Sequence, residues 1–280
     1  IPYFNALAEN KDYTFTPRFY FNNEVLLQNE FRQVNKNSNN ITDFSLKKLD
    51  KGTKSHFFSN SKINFDSDYL DNSQLEINLE KTSNDTYLKS EDLKNSIQNN
   101  QSLLNSFIKY ESFNDEMDFS IEVAAYEDLT KQKNSDKYQF ILPSFKFSKI
   151  LSSNFLNFGY LSYSGSGVSQ KRDTNITENY LINNLDFTSD SFFSKKGIVN
   201  NFNFKFKNVS KEGNNSTTYS KDFENRNFIA TNYTATLPLK KYGNNYDSSL
   251  SPKLSLRYSP FDNQNISNAD RRINSTNIFQ

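Results

Sequence analysis

The sequence predicts an all-β protein, an antiparallel transmembrane β-barrel with about twelve strands. Three observations carry this. Apolar and polar residues alternate with period two along run after run, which places one kind on each face of a strand. Many of these runs are close to the roughly 9–11 residues that a tilted strand needs to cross a bilayer core. The apolar positions are heavy in aromatics, drawn from 27 Phe and 16 Tyr, while the alternate positions are polar or charged, as a lipid-facing wall around a wet lumen requires.

The first clear run, 12–21, sets Tyr13, Phe15, Pro17, Phe19 and Phe21 against Asp12, Thr14, Thr16, Arg18 and Tyr20. Gln28, Glu30 and Arg32 continue the polar side on the next strand. Residues 57–69 read as a further strand with His56 at its edge, solvated or facing the polar side rather than ligating. In 117–125, Met117, Phe119, Ile121 and Val123 alternate with Asp118, Ser120 and Glu122. In 200–209, Phe202, Phe204 and Phe206 alternate with Asn203, Lys205 and Lys207; 229–239 repeats the pattern more weakly. In 250–259, Leu254, Leu256 and Tyr258 alternate with Lys253, Ser255 and Arg257. Polar stretches at 35–43, 210–218, 243–249 and 261–275 suit loops. Only 90–104, with Leu93, Ile97 and Leu104, has helical spacing. Alternation alone also allows a soluble sandwich or surface protein that buries its Phe faces against a second sheet, and it does not distinguish among outer-membrane barrels such as porins and receptors.

Composition removes other classes. Charge is balanced, 33 basic against 32 acidic residues, which speaks against a nucleic-acid partner. With no Cys and one His, neither a disulfide framework nor a His-rich metal site is available, and neither a metal nor a cofactor is expected. Apolar content is too high for a disordered linker. No catalytic constellation stands out, so an enzyme is not expected. Ser164-Gly165-Ser166-Gly167 superficially resembles a nucleophile elbow but lacks a following helix, and reads as a turn. The chain shows no opening signal segment and reads as a mature or excised piece, a single barrel domain over 1–280.

The opening residues, Ile1-Pro2-Tyr3-Phe4-Asn5-Ala6-Leu7-Ala8-Glu9-Asn10-Lys11-Asp12 followed by Thr14-Phe15-Thr16-Pro17-Arg18 and Leu27-Gln28-Asn29-Glu30-Phe31-Arg32, add a sharper signal. They resemble the first barrel strands of the LptD family, the lipopolysaccharide-assembly proteins of the Gram-negative outer membrane. They depart from the family pattern at Ala6, Glu9 and Asn29. Further along, Ser83-Asn84-Asp85-Thr86-Tyr87-Leu88 after an alternating strand, Ile141-Leu142-Pro143, Leu237-Pro238-Leu239, Ser251-Pro252-Lys253, Arg257-Tyr258-Ser259-Pro260 and Arg271-Arg272-Ile273-Asn274 fall in the family's order.

The resemblance implies a cell outer membrane location and transport of lipopolysaccharide without covalent chemistry. Its implied partners are lipopolysaccharide, membrane lipid, the plug lipoprotein LptE, and the periplasmic bridge protein LptA, which docks on an N-terminal domain outside this sequence. It further implies that the chain is roughly the first half of a larger barrel, which would aggregate through its open edges without the other half. Pro17 falls in the middle of a run, where a sheet does not want a residue without an N–H; a bulge or strand end is the purely structural explanation. The resemblance gives Pro2 and Pro17 another role: weakening pairing beside a seam that opens as a lateral gate. Asp12, Thr14, Thr16, Arg18, Gln28, Glu30 and Arg32 would share the lumen face of the early strands. There they either contact the passing glycolipid or a plug protein, or simply solvate the lumen.

Overall fold

The computed structural model describes residues 1–260 except Asn22, Asn99 and Asn245. Among the described residues seventeen strands and one short helix follow one another. They are β1 (Tyr3–Ala8), β2 (Lys11–Phe19), β3 (Val25–Val34), β4 (Ser38–Lys48), β5 (Thr53–Asn64), β6 (Asn72–Thr82), α1 (Tyr87–Ser90), β7 (Leu103–Phe113), β8 (Met117–Asp128) and β9 (Tyr138–Phe155). Then come β10 (Gly159–Arg172), β11 (Thr177–Ser189), β12 (Phe192–Phe193), β13 (Val199–Asn214), β14 (Glu224–Thr236), β15 (Leu239–Lys241), β16 (Ser248–Leu250) and β17 (Lys253–Tyr258). Fifteen strands form one antiparallel sheet. It is a meander in chain order from β1 to β14, ending on β17, with β12 paired only to β13. The small β15–β16 hairpin interrupts the last connection.

Successive hairpins keep the two faces in register. Phe15 lies opposite Asn29, Asn29 opposite Phe44, and Phe44 opposite Phe57. The same face continues through Ile77, Ile108 and Val123 in the middle of the sheet. It reaches Phe187 beside Phe204 and Phe206 beside Ile229 on the far side. The apolar positions of each strand thus form one continuous surface. Among the described residues no second large sheet covers it, and Leu46, Phe57, Leu79, Ile108 and Leu256 on it stay exposed. The described residues therefore do not form the sandwich that alternation also allows.

The buried core lies on the opposite, polar face. Leu26 and Phe58, which break the polar pattern of β3 and β5, meet Tyr87, Leu88 and Leu93 of the long β6–β7 connection, with Leu104 and Leu129. Residues 83–98 and 100–102 of the connection at 83–102 fold back over the polar face of β2–β6 as a strap that carries α1. Burial of each such side chain is worth about 1.5–3 kcal/mol.

Several expectations need correction. The sheet holds more strands than the expected twelve. The 35–43 loop is only 35–37, because β4 begins at Ser38. There the outward positions are Asn40 and Thr42, so no apolar residue marks the outward face until Phe44, and the one earlier apolar residue, Ile41, falls on the polar side. The 210–218 loop starts at 215, and 243–249 gives way to β16 at Ser248. Of the helical stretch expected at 90–104 only Ser90 is helical, as the end of the single turn Tyr87–Ser90; 91–98 is irregular, and Leu104 is in β7. Its apolar residues pack down onto the sheet from an extended path, not from one helix face. Ser164–Gly167 is no turn; it runs through the middle of β10, paired to β9 and β11 on both sides. There the glycines leave room for neighbouring rings: a Cβ on Gly167 would meet Phe145 Cε1 at 2.6 Å. The 261–275 loop and Arg271-Arg272-Ile273-Asn274 lie outside the described residues.

Candidate functional site

The residues singled out in the first strands converge. β2 and β3 pair without a bulge from Lys11↔Gln33 to Phe19↔Val25, which sets Asp12 beside Arg32, Thr14 beside Glu30, and Thr16 beside Gln28. A cavity of about 250 Å³ opens on this face, lined by Pro2, Thr14, Thr16, Arg18, Gln28 and Glu30, with Asp43 of β4 and Lys94 of the strap. Asp12 and Arg32 lie one step along the same face as an ion pair, with Arg32 Nε 2.9 Å from Asp12 Oδ1. Pro17 is on the other face, opposite Leu27 of β3.

The surroundings of Pro17 are specific. The β1–β2 ladder runs only from Ala8↔Lys11 to Tyr3↔Phe15 and slips its register between Ala6 and Ala8. Beyond Phe15, β2 has no strand partner on that side among the described residues, so Pro17 occupies an effective sheet edge, where a missing N–H costs little. This replaces the bulge explanation. β1 itself is exposed along its whole length.

Beneath the strap the polar face carries a buried network. Gln28 Nε2 donates to Asp43 Oδ2 at 3.1 Å and to the carbonyl of Lys94 at 3.0 Å. His56 Nε2 is in hydrogen-bond contact with Asp43 Oδ1, and His56 Nδ1 is 2.7 Å from Ser45 Oγ. Ser45 Oγ is also 2.7 Å from the Tyr87 hydroxyl. His56 is thus neither at a strand edge nor solvated. It lies within β5, only 3% exposed. The Asp43–His56–Ser45 order has the connectivity of a nucleophile and its base. Ser45 is nevertheless sealed under Tyr87, and no substrate atom reaches its hydroxyl in this arrangement.

A second group holds the strap. Lys47 Nζ donates to Glu91 Oε1 at 2.8 Å, and the Tyr20 hydroxyl donates to Glu91 Oε2 at 2.7 Å. Arg18 Nη1 donates to the Glu91 carbonyl at 2.6 Å. Burial pushes the Glu91 carboxyl up, but the hydrogen bonds from Lys47 and Tyr20 and the Lys47 charge outweigh it and hold the group below its ordinary value. Burial raises the Tyr87 hydroxyl. Ser96 Oγ donates to Glu30 Oε2 at 2.7 Å, and at the strap's outer end Lys137 Nζ grips Asp85 at 2.7 Å.

Sequence reasoning brought Thr14, Thr16, Arg18, Gln28 and Glu30 to one face. It missed Tyr20, Asp43, Ser45, Lys47, Tyr87 and Glu91. The available signal for these was the same alternation: Tyr20 ends the polar side of its run, and Asp43, Ser45 and Lys47 are spaced by two around Phe44 and Leu46. No protein-family model matches the sequence, and no curated protein matches it.

Proposed function

We propose that the chain is part of the wall of an outer-membrane β-barrel of the lipopolysaccharide-assembly type, a conduit that moves and inserts glycolipid without covalent chemistry. The observation that carries this is the one-sheet, two-face arrangement. A continuous aromatic and aliphatic surface that none of the described residues covers is opposed by a face of ion pairs and amide networks. Lipid on the first face and water and sugar on the second satisfy both. In this reading the β1 edge is one side of the lateral gate. The incomplete β1–β2 ladder, with Pro2 on the cavity and Pro17 beyond the last pair, lowers the cost of unzipping, each net hydrogen bond being worth about 0.5–1.5 kcal/mol. The cavity lined by Thr14, Thr16 and Gln28 offers hydroxyl and amide partners for sugar. Glycolipid, a plug lipoprotein of the LptE kind and a periplasmic bridge protein of the LptA kind are the partners of this reading.

The test is to recover the flanking coding sequence, express the product in a Gram-negative host, and fractionate the envelope. The expected product sits in the outer membrane, needs detergent, and delivers less lipopolysaccharide to the surface when Pro17→Ala restores an N–H beside the gate. A water-soluble monomer would overturn the membrane reading. An outer-membrane product whose loss leaves surface lipopolysaccharide unchanged would point to a porin or receptor instead.

A further inference from the structure

Glu91 presents three acceptor oxygens to three donors, from β2, the loop that follows it, and β4. Lys47 takes one carboxylate oxygen, Tyr20 the other, and Arg18 the backbone carbonyl. Lys47 is only 7% exposed, and its remaining anionic partner is Glu24, at 3.0 Å. Among the described residues Arg18 has no carboxylate within ion-pair distance, so its charge is answered only by a neutral carbonyl. An arginine so placed is a strong donor without its best acceptor. The same Arg18 also borders the 250 Å³ cavity, so one of the three donors already adjoins a space open to a ligand. Once Glu91 departs, Arg18 and Lys47 keep Glu24 as the one carboxylate among the described residues within ion-pair distance of either, while Glu30 and Asp43 line the cavity beyond Arg18.

We propose that Arg18, Tyr20 and Lys47 form an oxyanion site that the chain's own Glu91 occupies, and that a phosphate monoester takes Glu91's place when the 83–102 strap lifts. A phosphate monoester carries three terminal oxygens and about −1.5 to −2 charges, matching three donors better than a carboxylate, which leaves Arg18 to a carbonyl. Glu91 is then an internal competitor, and ligand entry and strap release are one event. The Asp85–Lys137 pair stays outside this exchange and keeps the strap tethered at its outer end. The site needs only β2 with the loop after it, β4 and the strap, so it is independent of the membrane reading.

The test uses the 280-residue chain refolded in detergent, with strand content checked by circular dichroism. Inorganic phosphate is titrated at constant ionic strength against chloride and followed by phosphorus NMR line width. Glu91→Ala is expected to bind phosphate roughly tenfold more tightly than the parent, and adding Arg18→Gln to it to lose roughly tenfold or more, the weight of one charge-assisted hydrogen bond. Equal binding by parent and Glu91→Ala, or binding that survives Arg18→Gln, overturns the site. A second measurement leaves Glu91 intact. The chain has no cysteine, so Leu26→Cys, fully buried under the strap, provides a single thiol. Phosphate is expected to speed its maleimide labelling, whereas a rate indifferent to phosphate refutes the exchange.

Discussion

Truncating Leu88 to alanine separates the strap's own stability from that of the sheet beneath it. Leu88 is wholly buried and packs in the cluster that joins the strap to Leu26 and Phe58, yet it belongs to no ladder. Removing a fully buried leucine side chain costs about 2–5 kcal/mol. If that cost falls on strap opening alone, the opening constant rises between about 30-fold and about 4,000-fold, at about 1.4 kcal/mol per tenfold. Lys89 and Lys94 lie in the strap and supply trypsin sites there. Where closing is fast relative to cleavage, the cut rate follows the open population. Brief proteolysis with mass spectrometry of fragments ending at Lys89 or Lys94 therefore reads the change directly. Leu27→Ala, on the outer face and already part exposed, is expected to leave those fragments unchanged. If Leu88→Ala releases them no faster than the parent, the strap is not held by this cluster and the reasoning fails.

Three further outcomes follow from the same geometry. The Glu91 carboxyl is held below the ordinary glutamate value of 4.5, so its contribution to the closed strap is complete above that pH and fades as pH falls through the lowered value; pepsin cleavage within 83–102 should rise over that acid window in the parent and lose this pH dependence in Glu91→Gln. His56→Ala leaves Asp43 with Gln28 as its side-chain partner in a buried site, and a loss of about 1–3 kcal/mol is expected in urea unfolding; an unchanged midpoint and slope would show the network to be energetically idle. Gly159→Ala places a Cβ 2.2 Å from the Thr188 carbonyl oxygen, a backbone atom that cannot step aside, whereas at Gly165 the nearest atom is the Tyr163 hydroxyl at 2.9 Å, the end of a movable side chain; melting should therefore be lowered much more by Gly159→Ala than by Gly165→Ala.

The sheet was legible wherever alternation was strong. The Phe202, Phe204 and Phe206 series lies within β13, and Phe119 and Ile121 lie within β8, as period two requires. It failed where the outward face is polar. In β4, Asn40 and Thr42 take the outward positions while the lone Ile41 falls on the polar side, so the contrast is lost and the strand is held by its neighbours' ladders. Of the candidate site, the polar row on β2 and β3 could be read because local period fixes a face and a hairpin fixes the register. The Glu91 contacts could not. They join residues 44 to 73 positions apart, and no local pattern encodes the path of an irregular strap.

The location of the core bears on how the polar face can work. In an ordinary one-sided sheet the apolar face is covered and the polar face is free. Here the covered side is polar, and its few apolar members, Leu26 and Phe58, are the ones the strap seeks out. A strap held only by apolar packing would respond to little except temperature and denaturant. One held also through Glu91, Lys47, Tyr20 and Arg18 responds to charge, because its closing contacts are those a competing anion would make. Such an arrangement stays shut over an empty polar face and opens when an anionic ligand is present. Leu88→Ala and Glu91→Ala therefore make different predictions. The first should loosen the strap at any phosphate concentration, and the second should loosen it while creating a site that phosphate then fills. If both variants free the strap yet neither gains phosphate affinity, the strap is a packed lid and the anion site is refuted.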